Sequence, residues 1–186
     1  MVPKQKLERV VAFARTLEEV MDTLDARLTV IEARIQTPAG ADLLEEAIVQ
    51  ASRAVSQARI SRVAAVLAHG LSDDQFQYDR TKKMMSLMEM LTDSEFVLLA
   101  FYAQRLTIGS SWHREMMNRH PELLQPVSNA IGRPQAESDR YALRDAYERK
   151  LISEGLLESN AQPRRPTTLG RLLLRYADEA SDTGAQ

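Results

Sequence analysis

The chain of 186 residues contains no cysteine. This absence excludes a disulfide framework, a thiolate metal site and a cysteine nucleophile. Its seven glycines are thinly spread and form no phosphate-binding loop. Aromatic residues make up only 5% of the sequence, and no apolar run approaches the roughly 20 residues that span a bilayer. We therefore expect a cytoplasmic protein that does not enter a membrane.

The composition that remains, 44% hydrophobic and 27% charged, is typical of a globular protein. The net charge of −2 is unevenly distributed. Residues 133–177 hold nine basic against six acidic side chains, a net of +3, and the last nine residues add three acids. We predict a mainly α protein with an N-terminal helical arm or hairpin (1–78), a helical body (79–177) and an acidic tail (178–186).

The clearest pattern is an apolar stripe near the N-terminus, with members spaced alternately by three and four residues. This is the a/d pattern of a coiled coil, and a helix that carries it must pack against another helix. Charges beside the stripe, Arg27 and Glu32 among them, favour a parallel homodimer over an antiparallel one. A hairpin within one chain is the alternative. The residues predicted to mediate self-association are Leu7, Val10, Leu17, Met21, Leu24, Leu28, Ile31 and Ile35.

Boundary signals divide the chain into helices. A helix is predicted from Pro3 to Gln36, ended by the Thr-Pro-Ala-Gly sequence that follows it, and a second from Asp42 to His69, ended by Gly70. The Thr-Asp-Ser-Glu sequence at 92–95 predicts a capping box that opens an apolar helix. A further amphipathic helix is predicted from Ala136 to Glu154.

The C-terminal segment carries a more specific motif. Gly155-Leu156-Leu157 follows the last of these helices, and Thr-Thr-Leu-Gly-Arg-Leu-Leu-Leu occupies 167–174. This arrangement resembles the end of a winged-helix domain, and the layout is similar to that of bacterial helical proteins whose activity is unknown. The resemblance implies a small β-hairpin, the wing, between the two motifs. It also implies a recognition helix and wing tip whose DNA-contacting residues are Arg140, Arg144, Arg149, Arg164 and Arg165.

No catalytic residues, cofactor or metal ligands are predicted. His113 and His120 are seven residues apart, but they lack the spacing of a helical zinc motif and are interpreted as surface residues. The sequence therefore predicts a non-enzymatic, homo-oligomeric interaction or adaptor protein of bacterial type, with another protein as a further partner. The alternative is a winged-helix transcriptional regulator that binds DNA.

Overall fold

The computed structural model describes residues 3–23, 28–73, 76–104, 110–126, 134–161 and 163–177, and these form ten helices. The prediction of a mainly α protein is confirmed. The chain divides into two compact units. Unit 1 comprises Met1–Leu91 and Leu173–Gln186, and unit 2 comprises Thr92–Leu172. The predicted acidic tail, 178–186, lies outside the described residues.

Unit 1 is a bundle built around its fourth helix. The helices are α1 (Pro3–Thr23), α2 (Leu28–Ile35), α3 (Pro38–Arg53), α4 (Gln57–Ser72) and α5 (Tyr78–Met90). Most of α4 is buried, since α1, α2, α3 and α5 all pack against it. The alanines of α4 allow these helices to pack closely against it, because a methyl side chain projects little from the helix.

The single helix predicted from Asp42 to His69 is wrong, because the chain forms α3 and α4 with a break between them. The hydroxyl of Ser56 accepts a hydrogen bond from the backbone N–H of Arg59, which caps the start of α4. A helix, α2, ends at Ile35 just before the Thr37-Pro38 pair, as expected, and the same pair also begins α3: Thr37 is its N-cap, and proline suits the first turn.

Gly70 lies inside α4 rather than ending it. A β-carbon at this position would lie 2.2 Å from Cγ2 of Thr81 in α5. Glycine is therefore required here for the close approach of two helices. Arg59 fixes the other end of the same pair, because its guanidinium donates to the carbonyls of Met88 (2.8 Å) and Glu89 (3.1 Å), near the end of α5.

Unit 2 contains α6 (Asp93–Ala103), α7 (Ser111–Arg119), α8 (Pro121–Leu124), α9 (Gln135–Ser153) and the beginning of α10 (Thr168–Ala177). The predicted capping box is confirmed: Thr92 and Glu95 each accept a hydrogen bond from the other's backbone N–H. Glu95 is buried and forms an ion pair with Lys150 of α9 at 2.9 Å. The cap of α6 therefore also ties it to α9, the helix on which it packs.

The predicted C-terminal β-hairpin is wrong, because the described residues contain no β-strand. The segment between α9 and α10, which we call the 154–167 turn, contains one isolated antiparallel bridge, between Leu157 and Pro166. Two backbone hydrogen bonds flank the bridge, from Glu158 to Arg165 and from Thr167 to Leu156. Pro163, further from the bridge, has no N–H with which to extend this ladder.

Candidate functional site

The N-terminal stripe divides between the interior and the surface of unit 1. Leu17 and Ile31 are buried, Val10, Met21 and Ile35 are half-buried, and Leu7 is 65% exposed. Leu24 and the side chain of Leu28 lie outside the described residues. The stripe residues on α1 therefore do not form one uniform face.

Sequence reasoning missed the residue that anchors α1. The spacing of the apolar stripe, the seam of the predicted coiled coil, includes Ala14 and leaves Phe13 beside it. In the structure Phe13 is buried and Ala14 is exposed. The reason is that α1 packs on α3 and α4 of its own chain, as in the alternative that the sequence left open. A bundle helix turns its bulkiest apolar side chains inwards, so the phenylalanine at this position was the available signal.

Opposite the buried side of α1 lies an exposed strip, which we call the outer face. Its apolar part is Leu7, Val11 and Ala14, and Val11 is 43% exposed. Residues spaced by three and four along a helix share one side. Its members, all exposed, are Lys4, Leu7, Val11, Ala14, Glu18 and Asp22, and the exposed charged residues Glu8 and Arg15 lie along its edge.

The outer face carries opposite charges at its two ends. Lys4 lies at the N-terminal end, and Glu18 and Asp22 lie at the C-terminal end. Within the helix Lys4 contacts Glu8 at 3.9 Å, but both side chains are well exposed, and such a pair contributes little. The outer face thus carries Lys4 at one end and Glu18 and Asp22 at the other, on either side of the apolar Leu7, Val11 and Ala14.

In unit 2 two of the predicted DNA-contacting arginines meet at one carboxylate. Glu148 of α9 accepts hydrogen bonds from Nε of Arg144 (3.3 Å) and from Nε of Arg164 (3.0 Å). The hydroxyl of Tyr102 in α6 also donates to Glu148, and Arg144 donates to that hydroxyl at 2.9 Å. Arg164 reaches the carbonyl of Ser159 as well, at 3.0 Å. We call these four side chains, Tyr102, Arg144, Glu148 and Arg164, the Glu148 cluster.

The Glu148 cluster is partly shielded from water, and this changes the pKa of two of its members. Burial, together with the hydrogen bond to Glu148, raises the pKa of Tyr102 to about 12. Burial by itself disfavours the charge of Arg144, but the hydrogen bond to Tyr102 and the nearby Glu148 carboxylate leave its pKa raised. The cluster therefore fixes the 154–167 turn to α9 by charge-assisted hydrogen bonds.

The other three predicted arginines lie outside the Glu148 cluster. Arg149 forms an ion pair with Asp145 at 2.7 Å, one turn away on α9. Arg140 is half-exposed on the same helix, and Arg165 is exposed in the 154–167 turn. The structure thus brings together Arg144 and Arg164, and it pairs three of the five predicted arginines with carboxylates.

A cleft of about 750 Å³ lies beside the 154–167 turn. Its charged lining residues, Glu158 and Arg165, are both exposed. The hydroxyl of Thr167 is already used, because it donates to the carbonyl of Gly155 at 2.6 Å. The lining consists of Ile152, Leu157, Glu158, Ser159, Asn160, Ala161, Arg165 and Thr167. This lining combines both signs of charge with apolar carbons and selects no single class of ligand.

The interpretation of His113 as a surface residue is wrong. His113 is buried, and its ring packs edge-on against Phe101 with 4.7 Å between ring centroids. The ring of Trp112 also packs edge-on against this histidine, with 5.2 Å between ring centroids. Across the parts of the chain that the structure describes, no three histidine or acidic side chains are grouped as a metal site would require.

Two further findings concern membrane-spanning helices and similarity to known proteins. Among the described helices, none has both the length and the apolar character to cross a membrane. Comparison with known proteins finds no matching family model, no matching curated protein and no matching solved structure.

Proposed function

We propose that the protein is a cytoplasmic, homo-oligomeric interaction protein that associates through unit 1 and catalyses no reaction. The observation that carries the proposal is the pair Leu7 and Val11, 65% and 43% exposed and one turn apart on α1. An isolated exposed apolar side chain is ordinary, but two adjacent ones on a regular helix form a surface that water solvates poorly. Contact with another protein would remove that surface from water.

The arrangement of the arginines supports this function over DNA binding. Phosphate contacts need cations that are available to the nucleic acid. Arg144 and Arg164 are instead held by Glu148, and Arg149 is paired with Asp145. Acidic side chains thus offset the positive charge of the segment that the winged-helix resemblance assigns to DNA.

Light scattering after size-exclusion chromatography tests the proposal. We expect the mass of the intact chain to rise with concentration towards twice the monomer value of 21.0 kDa. The double variant Leu7→Glu/Val11→Glu should remain monomeric, because each charge would have to be desolvated at the contact.

The matched control is Val55→Glu/Leu143→Glu, which adds the same charge at two other exposed apolar positions, 83% and 56% exposed. It should associate like the intact chain. A monomer at every concentration of the intact chain would refute the proposal, as would equal association of the Leu7/Val11 variant.

A further inference from the structure

We propose that the outer face of α1 binds the same face of a second copy in antiparallel orientation. This inference rests on the proposed function, and it adds which surface pairs and in which direction. It follows from three properties of the described residues: the burial of part of the apolar stripe, the position of the apolar residues on the outer face, and the opposite charges of the residues at the two ends of that face.

The burial of two members of the stripe decides which surface is accessible. Leu17 and Ile31 are buried within unit 1, and so is Phe13. A second helix could reach these side chains only if unit 1 opened. The outer face needs no such rearrangement, because all of its members are exposed.

The apolar middle sets the register. A two-fold axis beside Val11 would place Val11 of one copy against Val11 of the other. Leu7 would then lie opposite the Ala14–Arg15 segment, where a methyl group and an aliphatic stem offer apolar contact. Such an interface is isologous, since each copy contributes the same residues.

In the same register the charged ends become complementary. Positions whose numbers sum to 22 face each other, so Lys4 of each copy would face Glu18 of the other. The two positions are 14 residues apart, about 21 Å along the helix. A parallel pair would set Lys4 against Lys4 and Glu18 against Glu18, and like charges would repel. Antiparallel helix dipoles act in the same direction.

The contact is small, and its ion pairs are exposed to solvent, so the dimer should be weak and salt-sensitive. That property suits a reversible association. It also makes the dissociation constant responsive to single charge reversals.

Charge reversal tests the orientation. In an antiparallel pair Lys4→Glu or Glu18→Lys alone creates two repulsive contacts, and the dissociation constant should rise about fivefold or more. The double variant Lys4→Glu/Glu18→Lys should regain the affinity of the intact chain, because each new glutamate faces a new lysine. In a parallel pair every reversal leaves like charges facing, so the single variants would bind as the intact chain does. That result would overturn the inference.

Disulfide trapping gives an independent readout, because the chain has no cysteine of its own. In an antiparallel pair Val11→Cys should form a disulfide dimer under mild oxidation. Lys4→Cys and Glu18→Cys should do so only when mixed, and circular dichroism would verify that each variant is folded.

The outcomes separate the two proposals. Self-linking of Lys4→Cys alone and of Glu18→Cys alone would establish the parallel orientation that the seam charges predict, and would overturn the antiparallel one while self-association stands. A chain that is monomeric at all concentrations would overturn both.

Discussion

Replacing Glu148 by glutamine should weaken unit 2 measurably. The carboxylate accepts hydrogen bonds from Arg144, Arg164 and the hydroxyl of Tyr102, and the Glu148 side chain is only 15% exposed. Glutamine keeps the size of the side chain but removes the charge. It also presents an amide donor where a guanidinium donates. Two partly buried arginines would then lose the anion that stabilises them.

The magnitude follows from the degree of burial. Breaking a fully buried ion pair costs about 3–5 kcal/mol, and losing an exposed one costs about 0.2–1 kcal/mol. The arginine side chains are 25% and 23% exposed, so the cost lies between these limits. Hydrogen bonds to charged groups contribute about 1.5–3 kcal/mol each. We therefore expect Glu148→Gln to lower the free energy of unfolding of unit 2 by about 2–3 kcal/mol.

The same helix offers a matched control. Asp145 and Arg149 form an ion pair four residues apart, as Arg144 and Glu148 do, but the Asp145 side chain is 42% exposed. Asp145→Asn should therefore cost no more than about 0.5 kcal/mol.

The assay uses the single tryptophan of the chain, Trp112, which lies in unit 2 and reports the unfolding of that unit in urea. If Glu148→Gln shifts the midpoint no further than Asp145→Asn does, the shielding of the Glu148 cluster contributes nothing and the reasoning fails.

Two further changes test the packing and the titration. The phenolate absorbance of Tyr102 is the part of the signal that is absent from Tyr102→Phe. It should titrate with a pKa of about 12 rather than the ordinary 10.0, since burial disfavours the anion. The raised pKa means that the protonated hydroxyl of Tyr102 stabilises unit 2. This stabilisation should be complete below pH 10 and lost as the pH rises through about 12, and Tyr102→Phe should reduce that loss. An absorbance midpoint near 10 would contradict the burial. In unit 1, Gly70→Ala should lower the unfolding free energy by about 1–3 kcal/mol despite the better helix propensity of alanine, because the new methyl group overlaps Thr81. The exposed change Ser86→Ala is its control by circular dichroism, and a stabilised Gly70→Ala would show that α4 and α5 are not in close contact.

Local signals predicted the helical character of the chain and several helix starts. The Thr92–Glu95 capping box was readable because it depends on residues three apart. The break between α3 and α4 was not, since its alanines all favour helix and only the Ser56 cap marks it. Gly70 was misread for a related reason: glycine ends helices by conformation but also permits close packing, and only the tertiary partner Thr81 distinguishes the two.

The candidate site was predictable only in part. The stripe correctly indicated that α1 packs against helices, but periodicity cannot tell a partner in the same chain from one in another chain. The arginines near the C-terminus were identified as a set, whereas the pairing of Arg164 with Glu148 depends on how the 154–167 turn folds onto α9. The resemblance to a wing did not account for Pro163, which removes a donor that a second strand needs.

The mass of the unmodified chain, measured by sedimentation equilibrium across a wide range of concentrations, tests the central claim most directly. The claim is that unit 1 joins two copies through the exposed side of α1. It predicts a mass that rises reversibly from 21.0 kDa towards twice that value, and a rise that high salt weakens. A mass that stays at 21.0 kDa throughout would contradict it.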